Sequence, residues 1–278
     1  MRTRHERRLA GRPGPAGTGR CPAAVAAVAL AVWVGGCTEP LSPEARQLLV
    51  DSKAAYDGGD DAAVLQKTSA FLAEHANAGE ADVAFYFRGL SKYRLRDSSG
   101  AMSDLKEAFT RTNRREIQLG SAKALGDLAF ESGDAVWAED MYYQALQYAD
   151  PARKPTDEIR YRLGCVLQRK GDWSEADRQF DLVLHLFAGS PSAQRAERRA
   201  RCLAWTVQTG VYARRDAALA EAKRLGAAKL PAAAKPLTYG GTLRFHVQIG
   251  TYKTWSEAGA ALPGIRRLRK DAILVPTR

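Results

Sequence analysis

Two short stretches of this 278-residue sequence bring together side chains able to do chemistry: the thiol of Cys37, and the polar groups of His246, Gln248 and Thr251. Cys37 follows the small residues Gly35-Gly36 at the end of an apolar run. In LRFHVQIGTY, residues 243–252, Phe245, Val247 and Ile249 alternate with Arg244, His246 and Gln248. Such a period of two marks a half-buried strand and points the imidazole and carboxamide away from the core. There both can make hydrogen bonds outside the core, and Thr251 follows three residues beyond Gln248. Enzymatic chemistry has no comparable support. His5, His75, His185 and His246 are scattered without metal-ligand spacing, and the chain has no nucleophile elbow, phosphate-binding glycine loop or recognisable carboxylate pair. The expectation is a binding protein that is not an enzyme, with no cofactor and no metal.

The segment before Cys37 decides where that binding takes place. Residues 1–20 carry Arg2, Arg4, Arg7, Arg8, Arg12 and Arg20 against Glu6 alone, and CPAAVAAVALAVWV over 21–34 has no charge. This is the layout of a signal peptide. A spanning helix needs about 20 apolar residues, more than this run supplies. With Val34-Gly35-Gly36-Cys37 at its end, the segment resembles the lipobox of bacterial lipoproteins. The resemblance implies that residues 1–36 are a lipoprotein signal peptide cut before Cys37, that the thiol receives a diacylglyceryl group, and that the new amino terminus is acylated with a palmitate-like chain. Several acyl chains hold a protein on a bilayer far more firmly than one. Thr38, where an aspartate is absent, makes the chain similar to lipoproteins sorted to the outer membrane. The expected location is therefore the cell envelope, periplasmic side, lipid-anchored, with 37–41 as the tether.

Charge is local. The chain has 42 Lys+Arg against 31 Asp+Glu, but residues 1–36 account for 6 and 1 of these, and Lys229–Arg278 for 9 and 2. The stretch between is close to neutral. A basic segment attracts nucleic acid, anionic lipid or an acidic envelope polymer, and export argues against nucleic acid. Once Cys21 leaves with the signal and Cys37 is lipidated, Cys165 and Cys202 remain, too few for a disulfide scaffold and placed as small core residues.

The elements that must carry these groups come in repeats. Gly89, Gly126 and Gly164 are 37 and 38 residues apart, and so are Ala101, Ala138 and Ala176. Gly59-Asp60, Gly133-Asp134 and Gly171-Asp172 read as turns inside helical hairpins, with Tyr142 and Phe180 filling space beside the small residues. The pattern resembles the tetratricopeptide repeat, whose right-handed α-solenoid is expected over 42–226 in four to five hairpins, the last a degenerate helix pair over 192–226. By that resemblance the first helix of each unit lines a concave, protein-binding surface. The residues carried onto it are Tyr86, Tyr93, Arg94, Lys123, Asp127, Phe130, Tyr161, Gln168 and Arg169. An envelope protein or peptide is the expected partner there.

After Gly226, AAKLPAAAKPLTYGG reads as an extended linker over 227–241. The strand at 243–252, a helix begun by a Thr254/Glu257 capping box, and a short strand at Ile273–Val275 follow. This order, with VQIGTY then WSEA, resembles the start of SPOR domains, which bind peptidoglycan glycan stripped of its stem peptides. The resemblance implies a glycan contact through His246, Gln248 and Thr251. As read, residues 242–278 make only a partial, ferredoxin-like β-α-β unit, either truncated or completed by a second copy, since a small sheet with an uncovered face is marginal alone. The chain is thus expected to be mainly α, an envelope lipoprotein whose repeat scaffold binds protein while its tail binds peptidoglycan. The alternative is a lipoprotein of the outer-membrane barrel-assembly type that handles unfolded or partner outer-membrane proteins.

Overall fold

Short polar side chains start most helices of the N-terminal part. Ser42, Asp60, Asp97, Asp134, Asp172 and Ser190 each accept a backbone N–H from the first turn of the helix that follows, satisfying a donor that has no intrahelical partner. The computed structural model describes residues 40–239 and 241–278, so Cys37 and the expected signal peptide lie outside the described residues. Four antiparallel hairpins follow one another: α1 (Pro43–Asp57) with α2 (Asp61–His75), α3 (Ala81–Arg94) with α4 (Ser98–Arg111), α5 (Arg115–Ser132) with α6 (Ala135–Tyr148), and α7 (Thr156–Lys170) with α8 (Trp173–Leu186). A short helix, α9 (Pro191–Arg199), covers the last of them.

The hairpins close because one helix omits a side chain where the other presents a large one. A Cβ on Gly89 would stand 2.8 Å from Leu105, and one on Gly126 would stand 2.8 Å from the Tyr142 ring. Gly164 meets Phe180 in the same way. Ala101, Ala138 and Ala176 are fully buried at the same step of each repeat. Some polar groups inside the stack are paired: Tyr142 donates to Asp127 at 2.6 Å, and Asp104 takes both Arg88 and Lys92. Burial, reinforced by Asp127, pushes the Tyr142 hydroxyl well above the ordinary phenol pKa. Cys165 and Cys202 are free and buried, and burial raises both thiols.

Beyond Arg199 the chain changes class. β1 (Ala204–Tyr212), α10 (Arg215–Ala227), β2 (Ala232–Tyr239), β3 (Thr242–Tyr252), α11 (Trp255–Arg266) and β4 (Ile273–Thr277) form a four-stranded antiparallel sheet in the order β2-β3-β1-β4. Ala218, Ala222 and Leu225 of α10 and Ile265 of α11 pack on Val207, Val247 and Ile249. The Thr254/Glu257 capping box is formed, and α11 runs on through Pro263.

Three expectations are corrected here. The array ends at Arg199 with a single capping helix, since Ala204–Tyr212, rich in β-branched and aromatic residues, is a strand rather than part of a helix pair reaching Gly226. The stretch expected as a linker holds β2, whose Pro236 is tolerated because β2 is an edge strand paired only to β3. The sheet therefore starts at 204 rather than 242 and holds both βαβ halves, so no second copy is needed to complete it. Among the described residues no helix is long and apolar enough to cross a membrane.

Candidate functional site

The two halves of the sheet unit repeat each other in sequence. Val207-Gln208-Thr209-Gly210-Val211-Tyr212 matches Val247-Gln248-Ile249-Gly250-Thr251-Tyr252 at an offset of 40 residues, and the offset carries on through Ala218 and Ala258 to Leu225 and Ile265. β1 and β3 lie side by side, and Gln208 stands directly opposite Gln248. Register shifts occur between Trp205/Val207 and between Gln208/Gly210, where each strand in turn holds an extra residue. Gly250 has φ +71° at one of them, and a Cβ there would strike the Tyr252 ring. The hydroxyl of Thr206 donates to the Gly250 carbonyl at 2.8 Å and that of Thr209 to the Val247 carbonyl at 3.3 Å.

Alternation from the buried Val207, Val247 and Ile249 assigns the opposite face, which neither α10 nor α11 covers. β2 contributes Ala233, Lys235 and Leu237 to it, and β3 Arg244, His246 and Gln248. β1 contributes Thr206, Gln208 and Val211, and β4 Ile273, Val275 and Thr277. None of these twelve described positions is acidic. Thr206, Gln248 and Thr277 are buried, while Val211 and Ile273 are 49% and 48% exposed and Ala233, Lys235 and Arg244 are exposed. The exposed part of this face is open to a large ligand.

His246 and Gln248 thus share the face that the sequence assigned to them, but they differ in access. Gln248 is buried, and its carboxamide oxygen accepts from the Thr277 hydroxyl at 3.1 Å, so it props the sheet rather than projecting from it. His246 is half-buried, with Nδ1 2.6 Å from Gln208 Oε1. Thr251 is exposed, beside Gly250 at the bulge. Gln208, Val211, Lys235 and Ile273 are the residues that sequence reading missed. The repeated VQ-x-G-x-Y segment was the signal for the first two.

The sheet is fastened to the array. Trp205 Nε1 donates to the Gln168 carbonyl at 2.7 Å, Trp173 Nε1 to the Lys253 carbonyl at 3.1 Å, and Arg278 to the Ala200 carbonyl at 3.3 Å. The rings of Trp173 and Trp205 are 6.0 Å apart. This docking employs two residues expected on the concave surface. Gln168 is fully buried and exchanges hydrogen bonds with Arg199, while the guanidinium of Arg169 lies 3.5 Å from the Phe130 ring centre and 5.3 Å from that of Trp255.

The other concave candidates are also engaged with neighbours. Tyr86 packs against Gly120, and burial pushes its hydroxyl pKa up to about 12. Tyr93 donates to Glu131 at 2.7 Å, Arg94 lies over the Tyr56 ring at 3.7 Å, and Lys123 pairs with Asp127 at 2.7 Å. Tyr161, under Arg195 at 4.5 Å, is pushed up to about 12 by burial. Asp127 is buried, so it cannot meet a partner directly. Tyr93, Arg94, Lys123 and Phe130 keep partial exposure along α3 and α5.

The family comparison falls on this sheet unit. Residues 204–276 match the SPOR domain. The match begins at β1, which places α10 and β2 inside the SPOR domain as the fold does. No curated protein matches the chain in sequence. Among solved structures, the array is similar to a tetratricopeptide repeat protein from Parabacteroides merdae at 17% identity, covering 56% of this chain and 58% of that one with a TM-score of 0.48. It is also similar to MamA at 17% identity, covering 55% and 79% with a TM-score of 0.43. A thermophilic TPR protein in Thermus thermophilus is similar at 19% identity, covering 55% and 78% with a TM-score of 0.39. Among the described residues no group of His, Cys, Asp and Glu could hold a metal ion.

Proposed function

We propose that this protein is a non-enzymatic adaptor of the bacterial cell envelope, in which the SPOR domain binds peptidoglycan glycan and the helical array holds an envelope protein or peptide. The observation that carries the reading is the exposed part of the sheet's open face. It offers Gln208 and His246 as hydrogen-bonding groups, Val211 and Ile273 as apolar surface for sugar rings, and Lys235 and Arg244 as cations, with no acid to repel an acidic polymer. The SPOR domain from Ala204 to Arg278 has 13 basic and 4 acidic residues, so attraction to an anionic wall and recognition of glycan must be told apart. The full chain is expected to sediment with sacculi whose stem peptides have been removed, and more weakly with untreated sacculi. Hydrogen-bonded recognition persists at salt concentrations that screen bare charge, where the Debye length is down to about 3 Å at 1 M. Retention that vanishes by moderate salt, with no preference for stripped sacculi, would reduce the domain to a basic surface.

Attachment belongs to the same reading. Cys37 is the proposed lipidation site, and Thr38 after it fits sorting to the outer membrane. Cys37→Ser is expected to shift the protein from the membrane fraction to a soluble or unprocessed form, with loss of labelled fatty acid. A variant that stays membrane-bound and labelled would remove the anchor from this account.

A further inference from the structure

We infer that His246, with its ring oriented and its tautomer set by Gln208, is the group whose Nε2 accepts from a hydroxyl or acetamido N–H of the bound sugar. The inference rests on the glycan-binding reading and specifies how the open face would discriminate its ligand. Gln208 Oε1 has no proton to give, so the hydrogen bond of 2.6 Å to His246 Nδ1 puts the ring proton on Nδ1. In the neutral ring that leaves Nε2 with a lone pair. Burial lowers the His246 pKa from its ordinary 6.5 and so favours the neutral ring. Lys235 stands directly across β2 from it and Arg244 lies two residues along β3, while Val211 faces it from β1 and Gln248 follows it on β3; no acid offsets the two cations on this face.

The acceptor matters because the face is otherwise short of them. Lys235 and Arg244 only donate, and the oxygens of Gln208 and Gln248 already take donors from His246 and Thr277. The hydroxyl and acetamido N–H donors of a sugar need an acceptor, and Nε2 is the one this face leaves open to them. Protonation would turn Nε2 into a donor and place a third positive charge between Lys235 and Arg244.

Gln208 is then a positioning residue. The test uses the full chain and sacculi stripped of stem peptides, with binding measured from pH 8 to pH 5. Wild type should bind at pH 8 and weaken by about tenfold as His246 protonates, the worth of one hydrogen bond, with the midpoint below pH 6.5. His246→Gln keeps an acceptor that does not titrate, so its profile should be flat, and His246→Ala should be weak throughout. Gln208→Glu sets a carboxylate against the ring and should move the midpoint to higher pH, which a merely structural role would not do. Nitrogen-15 shifts should show the wild-type ring protonated on Nδ1. Binding at pH 8 with a flat wild-type profile, or a fall that persists in His246→Gln, would overturn this inference alone. No binding at pH 8 would contradict the wall-binding reading, and this inference with it.

Discussion

Gly164→Ala should destabilise the protein even though alanine is the better helix former. Away from contacts the exchange favours the helix by about 0.8–1.0 kcal/mol. At Gly164 the added methyl would run into the Phe180 ring, which is fully buried between α7 and α8 and has no space to retreat. Overpacking of this kind costs about 1–3 kcal/mol, enough to exceed the propensity gain. Gly164→Val, which adds β-branching to the same clash, should lie at or above the upper end. Gly259, in α11 with nothing near its missing Cβ, is the control: Gly259→Ala should be neutral or stabilising. Denaturant melts that rank Gly259→Ala below Gly164→Ala would contradict the close approach that defines each hairpin.

Trp205→Ala should be costlier still, at about 3–5 kcal/mol, the usual range for deleting a buried aromatic ring. Trp205 is buried where the array meets the sheet. Its indole N–H donates to the Gln168 carbonyl at the end of α7, and its ring lies near Trp173 and the Arg199 guanidinium. Removing it opens a cavity and leaves a carbonyl without its donor. The loss should be read in two ways, as a lower melting transition and as faster proteolysis between α9 and β1. Trp205→Phe, which keeps most of the ring and loses the N–H, should cost about 1–2 kcal/mol of this through the hydrogen bond and the lost contacts. A Trp205→Ala protein as stable as wild type, with 199–204 still protected, would mean that the sheet is not fastened through this residue.

The hairpins were legible because their constraint is steric and local. A missing side chain at Gly89, Gly126 and Gly164 recurs with the same partner offset, and Gly133 and Gly171, with φ of +88° and +85°, end helices just before the capping aspartates. The number of hairpins was harder to read. A helix pair over 192–226 and the strand-helix pair actually present both bury small residues, and Ala217-Ala218-Leu219-Ala220 gives α10 the look of a repeat helix. β2 was illegible for a different reason. Ala232-Ala233-Ala234 with Pro236 has poor strand propensity, and it is a strand because β3 offers it a full edge of hydrogen-bonding groups, information that lies in tertiary pairing.

The candidate site was half legible. Alternation set His246 and Gln248 on one face of the sheet, but which of them a ligand can reach depends on neighbours from distant sequence. Thr277, from the last strand, accounts for the Gln248 oxygen, and both residues are buried. The concave candidates show the same limit: frame placed them on the first helices, while Gln168 and Arg169 turned out to serve the junction with the SPOR domain.

The central claim is that the exposed part of the sheet's open face, rather than the basic charge of the domain as a whole, binds glycan. Val211 and Leu219 decide it. They are similarly exposed, at 49% and 47%, but Val211 stands opposite His246 on the open face and Leu219 lies on α10, which packs against the other face. Aspartate at either position changes the net charge equally and disturbs little core. The account predicts that the full-chain Val211→Asp protein loses retention on stripped sacculi while Leu219→Asp keeps it. Equal retention of the two variants, or loss only in Leu219→Asp, would contradict it.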